Sequence, residues 1–272
     1  SLLLSETNQT SSGGFSLAAS ESPEFGRVQP RLESVVAPGG SYGDLVAGWS
    51  ERVLSKTLFG WQRQALNGQL THDDNGDLVH RESLVSTARQ NGKSFLQLIR
   101  ILGGLFLWDE PLQIGSAHRL STSLEQFRSL VNIIEGNDNL AKQVKKIRWQ
   151  HGGEEIETMT GNRFIIRAGG SAARGISRPS TIHLDELREM TDMESFASLR
   201  YTLMAAPNPL VMSYTNAGDS SSVVLNAFRE RALAKIGGAT DEIGYFEWSS
   251  PTDEISVENA RHANPAMGRS EE

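Results

Sequence analysis

The chain has 272 residues, enough for a sizeable core and, by ordinary domain sizes, for one α/β domain with an accessory piece. Its 38% hydrophobic and 22% charged content is that of a globular protein, no apolar run approaches a membrane span, and the absence of cysteine excludes disulfides, thiolate metal sites and cysteine nucleophiles. A net charge of −7 argues against a protein that coats nucleic acid with a basic face, so any such contact is expected to be local, transient or built by several copies together.

Residues 1 to about 40 are rich in Ser, Gly, Glu and Pro without periodicity and read as a flexible leader. Leu45–Leu54 and Trp61–Leu66 have helical spacing, and a polar turn region follows over Thr71–Asp77. Glu82–Ser86 reads as a strand, then comes a polar loop, then a helix to about Phe106. Pro111–Ser116 suits a second strand, and Leu124, Phe127, Leu130, Val131 and Ile134 mark an amphipathic helix that Gly136 ends. The basic cluster Lys142, Lys145, Lys146 and Arg148 reads as a solvated helix end, with phosphate contact as the alternative. Ile147–Thr158 and Arg163–Arg167 are expected to pair across Thr160-Gly161-Asn162. Thr181–Leu184 is a buried strand, Met193–Met204 a helix closed by Pro207 and Pro209, Leu210–Ser213 a strand, Val223–Ile236 a helix and Gly244–Trp248 a last strand. Strands alternating with helices predict an α/β fold with a mostly parallel central sheet covered by helices on both faces. The expected division is a leader over 1–40, the main domain over 41–240 and a linker or lid segment over 241–272.

The most informative stretch is Ser86-Thr87-Ala88-Arg89-Gln90-Asn91-Gly92-Lys93-Ser94. A strand, a polar loop and Gly-Lys-Ser opening an apolar helix form a phosphate-binding arrangement. Gly92 lets the backbone approach an anion, the loop amides and the helix start face it together, Lys93 reaches the β/γ-phosphates and the Ser94 hydroxyl binds Mg²⁺. Arg89, Gln90 and Asn91 complete the candidate nucleotide-binding loop, with Arg89 placed to sense the nucleotide in cis. The usual pattern begins with a glycine five residues before the second one, and that place holds Thr87. A plain surface turn is the alternative.

Thr181-Ile182-His183-Leu184-Asp185-Glu186 ends a buried strand in two carboxylates, 92 residues after Lys93. The first acid can hold Mg²⁺ and the second can polarise an attacking water, with an ordinary acidic turn as the alternative. Phosphoryl transfer needs positioning and charge stabilisation above all, and Asp185, Glu186, Lys93 and Ser94 supply those roles. Upstream, Arg174 in the small-residue loop Ser171-Ala172-Ala173-Arg174-Gly175 can be presented to the γ-phosphate of an adjacent subunit or be a surface arginine. Gln62 has an amide suited to an adenine edge and Trp61 can pack near the base or in the core. Ser213-Tyr214-Thr215-Asn216 follows a core strand whose tip would lie beside the γ-phosphate, or is a simple strand-to-helix turn. Asp73, Asn75, Gly76 and Glu82 fall at positions of a calcium loop, but Thr71 stands where its first acid belongs and the run leads straight into the phosphate-loop strand. His183 reads as a core residue.

In order and form these segments resemble the ATPase domain of the large terminase subunit of tailed bacteriophages. The resemblance rests on Trp61-Gln62, on Ala88-Arg89-Gln90-Asn91-Gly92-Lys93-Ser94, on Ser171 to Gly175, on His183-Leu184-Asp185-Glu186 and on Ser213 to Asn216, and covers about residues 58 to 250. Ala263-Asn264-Pro265-Ala266-Met267-Gly268 also looks like sequence of that family. The resemblance implies a P-loop NTPase of the ASCE type. In its terms Gln62 reads adenine, Lys93 and Ser94 bind triphosphate and Mg²⁺, Asp185 orders the metal, Glu186 activates water, Arg174 is a finger acting in trans, and Ser213, Thr215 and Asn216 couple hydrolysis to movement. It further implies an ATP-driven motor for double-stranded DNA, a ring of copies on a portal protein, a small terminase subunit as partner, and a site of action in the host bacterial cytoplasm and transiently on the procapsid. Relatives continue into a nuclease for which the chain has no room, so ATPase activity without DNA cleavage is expected. A helicase-like translocase and a nucleotide-binding assembly module that does not hydrolyse are the alternatives.

Overall fold

A computed structural model describes residues 25–34, 39–108, 110–117, 119–150, 152–168, 178–203, 206 and 208–269. In chain order the strands are β1 Leu32–Glu33, β2 Gly40–Ser41, β3 Thr71–His72, β4 Glu82–Ser86, β5 Leu112–Ala117, β6 Val144–Arg148, β7 Glu155–Thr158, β8 Arg163–Ala168, β9 Thr181–Asp185, β10 Leu210–Thr215 and β11 Ile243–Glu247. The α-helices are α1 Gly43–Trp49, α2 Gly60–Gln69, α3 Lys93–Phe106, α4 Leu120–Glu135, α5 Asp138–Ala141, α6 Met193–Leu203, α7 Val223–Ile236 and α8 Val257–Ala263.

Among the described residues nine strands form one sheet in the order β1-β11-β4-β10-β9-β5-β8-β7-β6. The six strands from β11 to β8 run parallel, β1 joins one edge antiparallel, and on the other edge β7 runs antiparallel to β8 and β6 antiparallel to β7. β10 lies between β4, which leads into the candidate phosphate loop, and the acid-tipped strand β9, with Ser213 level with both Leu84 and Leu184.

Alternate side chains of the strands enter two separate cores, as a pleated sheet requires. Val85, Met212, Tyr214, Phe164, Ile166 and Phe246 meet α1 to α4. Leu84, Val211, Ile165, Ile182, Leu184 and Tyr245 meet α6 and α7. The mostly parallel sheet with helices on both faces is thus as the sequence pattern predicts. The α3 helix is buried over nearly its whole length from Leu96 to Leu105, in keeping with its almost unbroken apolar sequence.

Beneath α3 the sheet is polar. Arg100, with no exposed surface, donates to both oxygens of Glu110 at 2.8 and 3.0 Å and stacks over Trp108 at 4.9 Å. Glu110 also accepts the Thr181 hydroxyl at the root of β9. Gln113 donates to the Ile101 carbonyl at 3.0 Å, so its oxygen is left to accept from His183 Nε2 at 2.8 Å, and that nitrogen carries the proton. Burial first, then Arg100, holds the His183 pKa well below 6.5, and the ring is the core histidine that the sequence suggests. These bonds join α3 to β5 and β9.

Several details differ from the sequence pattern. Ile147–Thr158 is not one strand: β6 and β7 form a hairpin around a turn holding Gly152 at φ 72°. Lys145, Lys146 and Arg148 therefore lie on an edge strand rather than a helix end, although Lys142 does cap α5; charge on an exposed edge blocks pairing with another chain. Lys145 and Arg148 pair with Glu157 and Glu155. Residues 25–34, assigned above to the leader, lie on the body, with Leu32 and Glu33 paired to Glu247 and Phe246. Glu82 is no calcium ligand: it is buried at the start of β4 and paired with Arg200 and Arg231.

Glu110→Ala leaves the Arg100 charge buried without its partner and should cost about 3–5 kcal/mol of stability in urea unfolding, with Arg100→Met plus Glu110→Leu recovering most of it. A loss under about 1 kcal/mol would show that the pair reaches water. His80, 2% exposed, is pushed down from 6.5 to about 4 by burial and then by Lys235. Between those values the unfolded chain binds a proton that the folded one refuses, so stability is full above pH 6.5 and falls as pH drops toward about 4, by at most about 3 kcal/mol from this residue. Urea midpoints across that range should slope accordingly, and His80→Phe should flatten its share of the slope.

Candidate nucleotide-binding site

The loop between β4 and α3 turns twice through left-handed backbone, at Gln90 (φ 61°) and Gly92 (φ 84°). Such turns curl backbone amides around a concavity that suits an anion, and the fourteen-residue helix α3 adds its positive end at Lys93. The positive φ favours glycine at 92, and a Cβ there would crowd the Gln62 amide nitrogen at 2.8 Å. Arg89, Gln90 and Ser94 are exposed around the rim, while Asn91 is 3% exposed.

Lys93 Nζ lies 3.8 Å from Asp185 Oδ1, with both side chains about one-tenth exposed. The phosphate loop and the acid-tipped strand, separated by β10, thus converge at the carboxyl ends of the parallel strands. Glu186 follows in left-handed backbone (φ 55°), its amide donating to Asp185 Oδ1 at 2.9 Å. For a non-glycine residue this conformation costs about 1–3 kcal/mol and occurs where surrounding structure imposes it. Asp185 and Glu186 line a cavity of about 160 Å³ with Ser116, Ala117, Met190 and Ser195.

Thr215 ties the neighbouring tips together. Its carbonyl accepts from the Thr87 amide at 3.2 Å, and its hydroxyl accepts from the Arg188 amide at 3.1 Å and donates to the Asn216 carbonyl at 2.9 Å. It therefore bridges the start of the phosphate loop and the turn after Glu186. Ser213 is fully buried two residues lower, and among the described residues neither its hydroxyl nor the buried Asn216 Oδ1 has a hydrogen-bond partner.

Two residues proposed for the base are engaged elsewhere in this conformation. Trp61 has no exposed surface and packs edge-on against Trp248 at 5.2 Å. Gln62 accepts from the Phe59 amide at 2.8 Å, capping α2, and donates to the Gly92 carbonyl at 2.8 Å. It thus holds the phosphate loop from the α2 side. Arg174 lies outside the described residues.

The sequence pattern did not expose what holds the loop from its other side. Ala88 N and the Thr87 hydroxyl reach the Ala263 carbonyl at 3.4 and 3.5 Å, and the Ala266 amide donates to Asn91 Oδ1 at 2.9 Å. Asn91 Nδ2 donates back to the Ala88 and Arg89 carbonyls at 3.2 and 3.0 Å and stands 3.4 Å from Asn264 Oδ1. A threonine where phosphate loops usually have glycine was the available signal.

No protein-family model matches the sequence, and no curated protein does. Solved structures do match. The large terminase of bacteriophage HK97 superposes with a TM-score of 0.69 over 85% of this chain and 50% of its own, at 20% identity. The large terminase ATPase domain of Thermus phage P74-26 superposes with a TM-score of 0.53 over 74% of this chain and 84% of its own, at 13% identity. The chain spans about half the length of the HK97 protein. The fold of this chain is thus the one that the ATPase domains of these phage large terminases share.

Proposed function

We propose that this chain is the ATPase of a viral motor that drives double-stranded DNA into a capsid. The observation that carries the reading is the approach of Lys93 to Asp185, 3.8 Å apart across an intervening strand, at the mouth of a loop curled for an anion. The motif order and the terminase-like fold support it.

In this reading the loop amides and the α3 terminus bind the triphosphate, and Lys93 bridges its β- and γ-phosphates. The donors available suit Mg²⁺: a serine hydroxyl and a carboxylate are hard oxygens, and this ion keeps most of its coordination for water and substrate phosphates rather than a protein cage. Among the described residues no cluster of three or more His, Asp or Glu side chains forms such a cage. Ser94 and Asp185 would hold the ion, which neutralises charge on the phosphate oxygens when bound. Glu186, which lines the same cavity as Asp185, takes the proton of the attacking water. Arg174 acts on the γ-phosphate of a neighbouring subunit, so the isolated chain turns over slowly. Arg89 senses the nucleotide in cis, and Gln62 supports the loop beside the base. Ser213, Thr215 and Asn216 couple the γ-phosphate to movement; the position of Thr215 between the loop and the turn after Glu186 supports that role. The partners in this reading are duplex DNA, a portal protein, a small terminase subunit and further copies forming a ring, acting in the host bacterial cytoplasm and on the procapsid.

Replacing Glu186 with Gln should abolish ATP turnover, measured as phosphate release, while calorimetric binding of ATP persists. Replacing Lys93 with Ala should weaken that binding at least tenfold. Unchanged turnover in the first variant would remove the base, and undiminished affinity in the second would remove the loop's role.

A further inference from the structure

The carboxy-terminal turn at residues 263–267 lies against the phosphate loop although more than 170 residues separate Ala266 from Asn91. Asn91 is the hinge of this contact. It is 3% exposed, and both polar atoms of its side chain are engaged by protein. Its oxygen takes the Ala266 amide, and its nitrogen takes the Ala88 and Arg89 carbonyls, with Asn264 Oδ1 at the edge of range. Thr87 and Ala88 reach the Ala263 carbonyl beside it.

The turn is in turn clasped by the amino-terminal segment. The Gly26 amide donates to the Met267 carbonyl at 3.0 Å, the Arg27 amide to the Arg261 carbonyl at 2.9 Å, and the Arg269 guanidinium to the Gly26 carbonyl at 2.6 Å. There is no room for a side chain at this crossing: a Cβ on Gly26 would lie 2.0 Å from the Asn264 carbonyl oxygen and 2.7 Å from Pro265. Three stretches distant in sequence therefore stack in one order, residues 25–27 on 263–267 on 87–91.

On the reading that this loop binds nucleotide, we infer that Asn91 is a positioning residue rather than a phosphate ligand. Through it the turn at residues 263–267, backed by Gly26, sets the shape of the phosphate loop and hence nucleotide affinity. The loop lacks the glycine that lets other phosphate loops curl unaided, and Thr87 and Asn91 instead anchor it to a second piece of chain. The effect reaches Gly26, which lies outside the loop.

The test uses ADP and the whole chain. Calorimetry on wild type, Asn91→Ala, Gly26→Ala and the double variant should show each single change weakening ADP about tenfold, the scale of one buried hydrogen bond, and the double change weakening it no further than the worse single one. Hydrogen exchange at the Ala266 amide adds a readout that a merely structural asparagine would not move. ADP should slow that exchange in wild type and leave it unaltered in Asn91→Ala, and this arm stands even where Gly26→Ala fails to fold. Effects on affinity that multiply in the double variant, wild-type affinity in Gly26→Ala, or ADP protection of Ala266 equal in wild type and Asn91→Ala would each overturn the inference. Failure of wild type to bind ADP at all would instead remove the nucleotide reading on which it rests.

Discussion

The site exists because two charged side chains from non-adjacent strands meet at one end of a parallel sheet. Lys93 begins the helix after β4, and Asp185 ends β9, with β10 between them. All three strands point the same way, so their carboxyl ends lie at one level and their loops share one crevice. A strand order that set β4 and β9 further apart would put the ammonium and the carboxylate out of reach. The 3.8 Å approach is thus a consequence of topology before it is one of local chemistry.

The polar layer beneath α3 serves that geometry. A helix held to a sheet by apolar contacts alone can slide, since such contacts have little direction. Arg100 to Glu110, Glu110 to Thr181, and Gln113 to both Ile101 and His183 are directional and buried, and together they set α3 at one height over β5 and β9. Desolvation makes such groups costly unless each finds its partner, which favours a single arrangement. The position of Lys93 relative to Asp185 therefore rests in part on residues midway along the helix. Around the loop itself, Gln62 from α2 and the turn at residues 263–267 hold opposite sides, and Thr215 closes the third.

Much of this was legible in the sequence. The alternation of strands and helices fits an α/β sheet because the short strands buried on both faces and the near-continuous apolar run of α3 are direct records of burial. The phosphate loop and the Asp185-Glu186 pair are contiguous, so their chemistry can be read from neighbours along the chain. What was not legible has a common cause. The edge hairpin of β6 and β7 places basic residues by pairing with β8, a partner the local pattern does not name. Trp61 and Gln62 look like base-contacting residues from their chemistry alone, yet one is enclosed by Trp248 and the other is taken up by its own helix and by Gly92.

The sequence by itself determined the class of fold and marked a candidate phosphate loop and an acidic strand tip, because short-range spacing and apolar runs carry that information within a few residues. Only the tertiary structure decided which residues are left to meet a ligand and which are consumed in holding the site. Asn91 and Gln62 show why: an amide has the same hydrogen-bonding capacity in any sequence, and whether it faces a nucleotide or a backbone carbonyl depends on what folding brings within 3 Å of it.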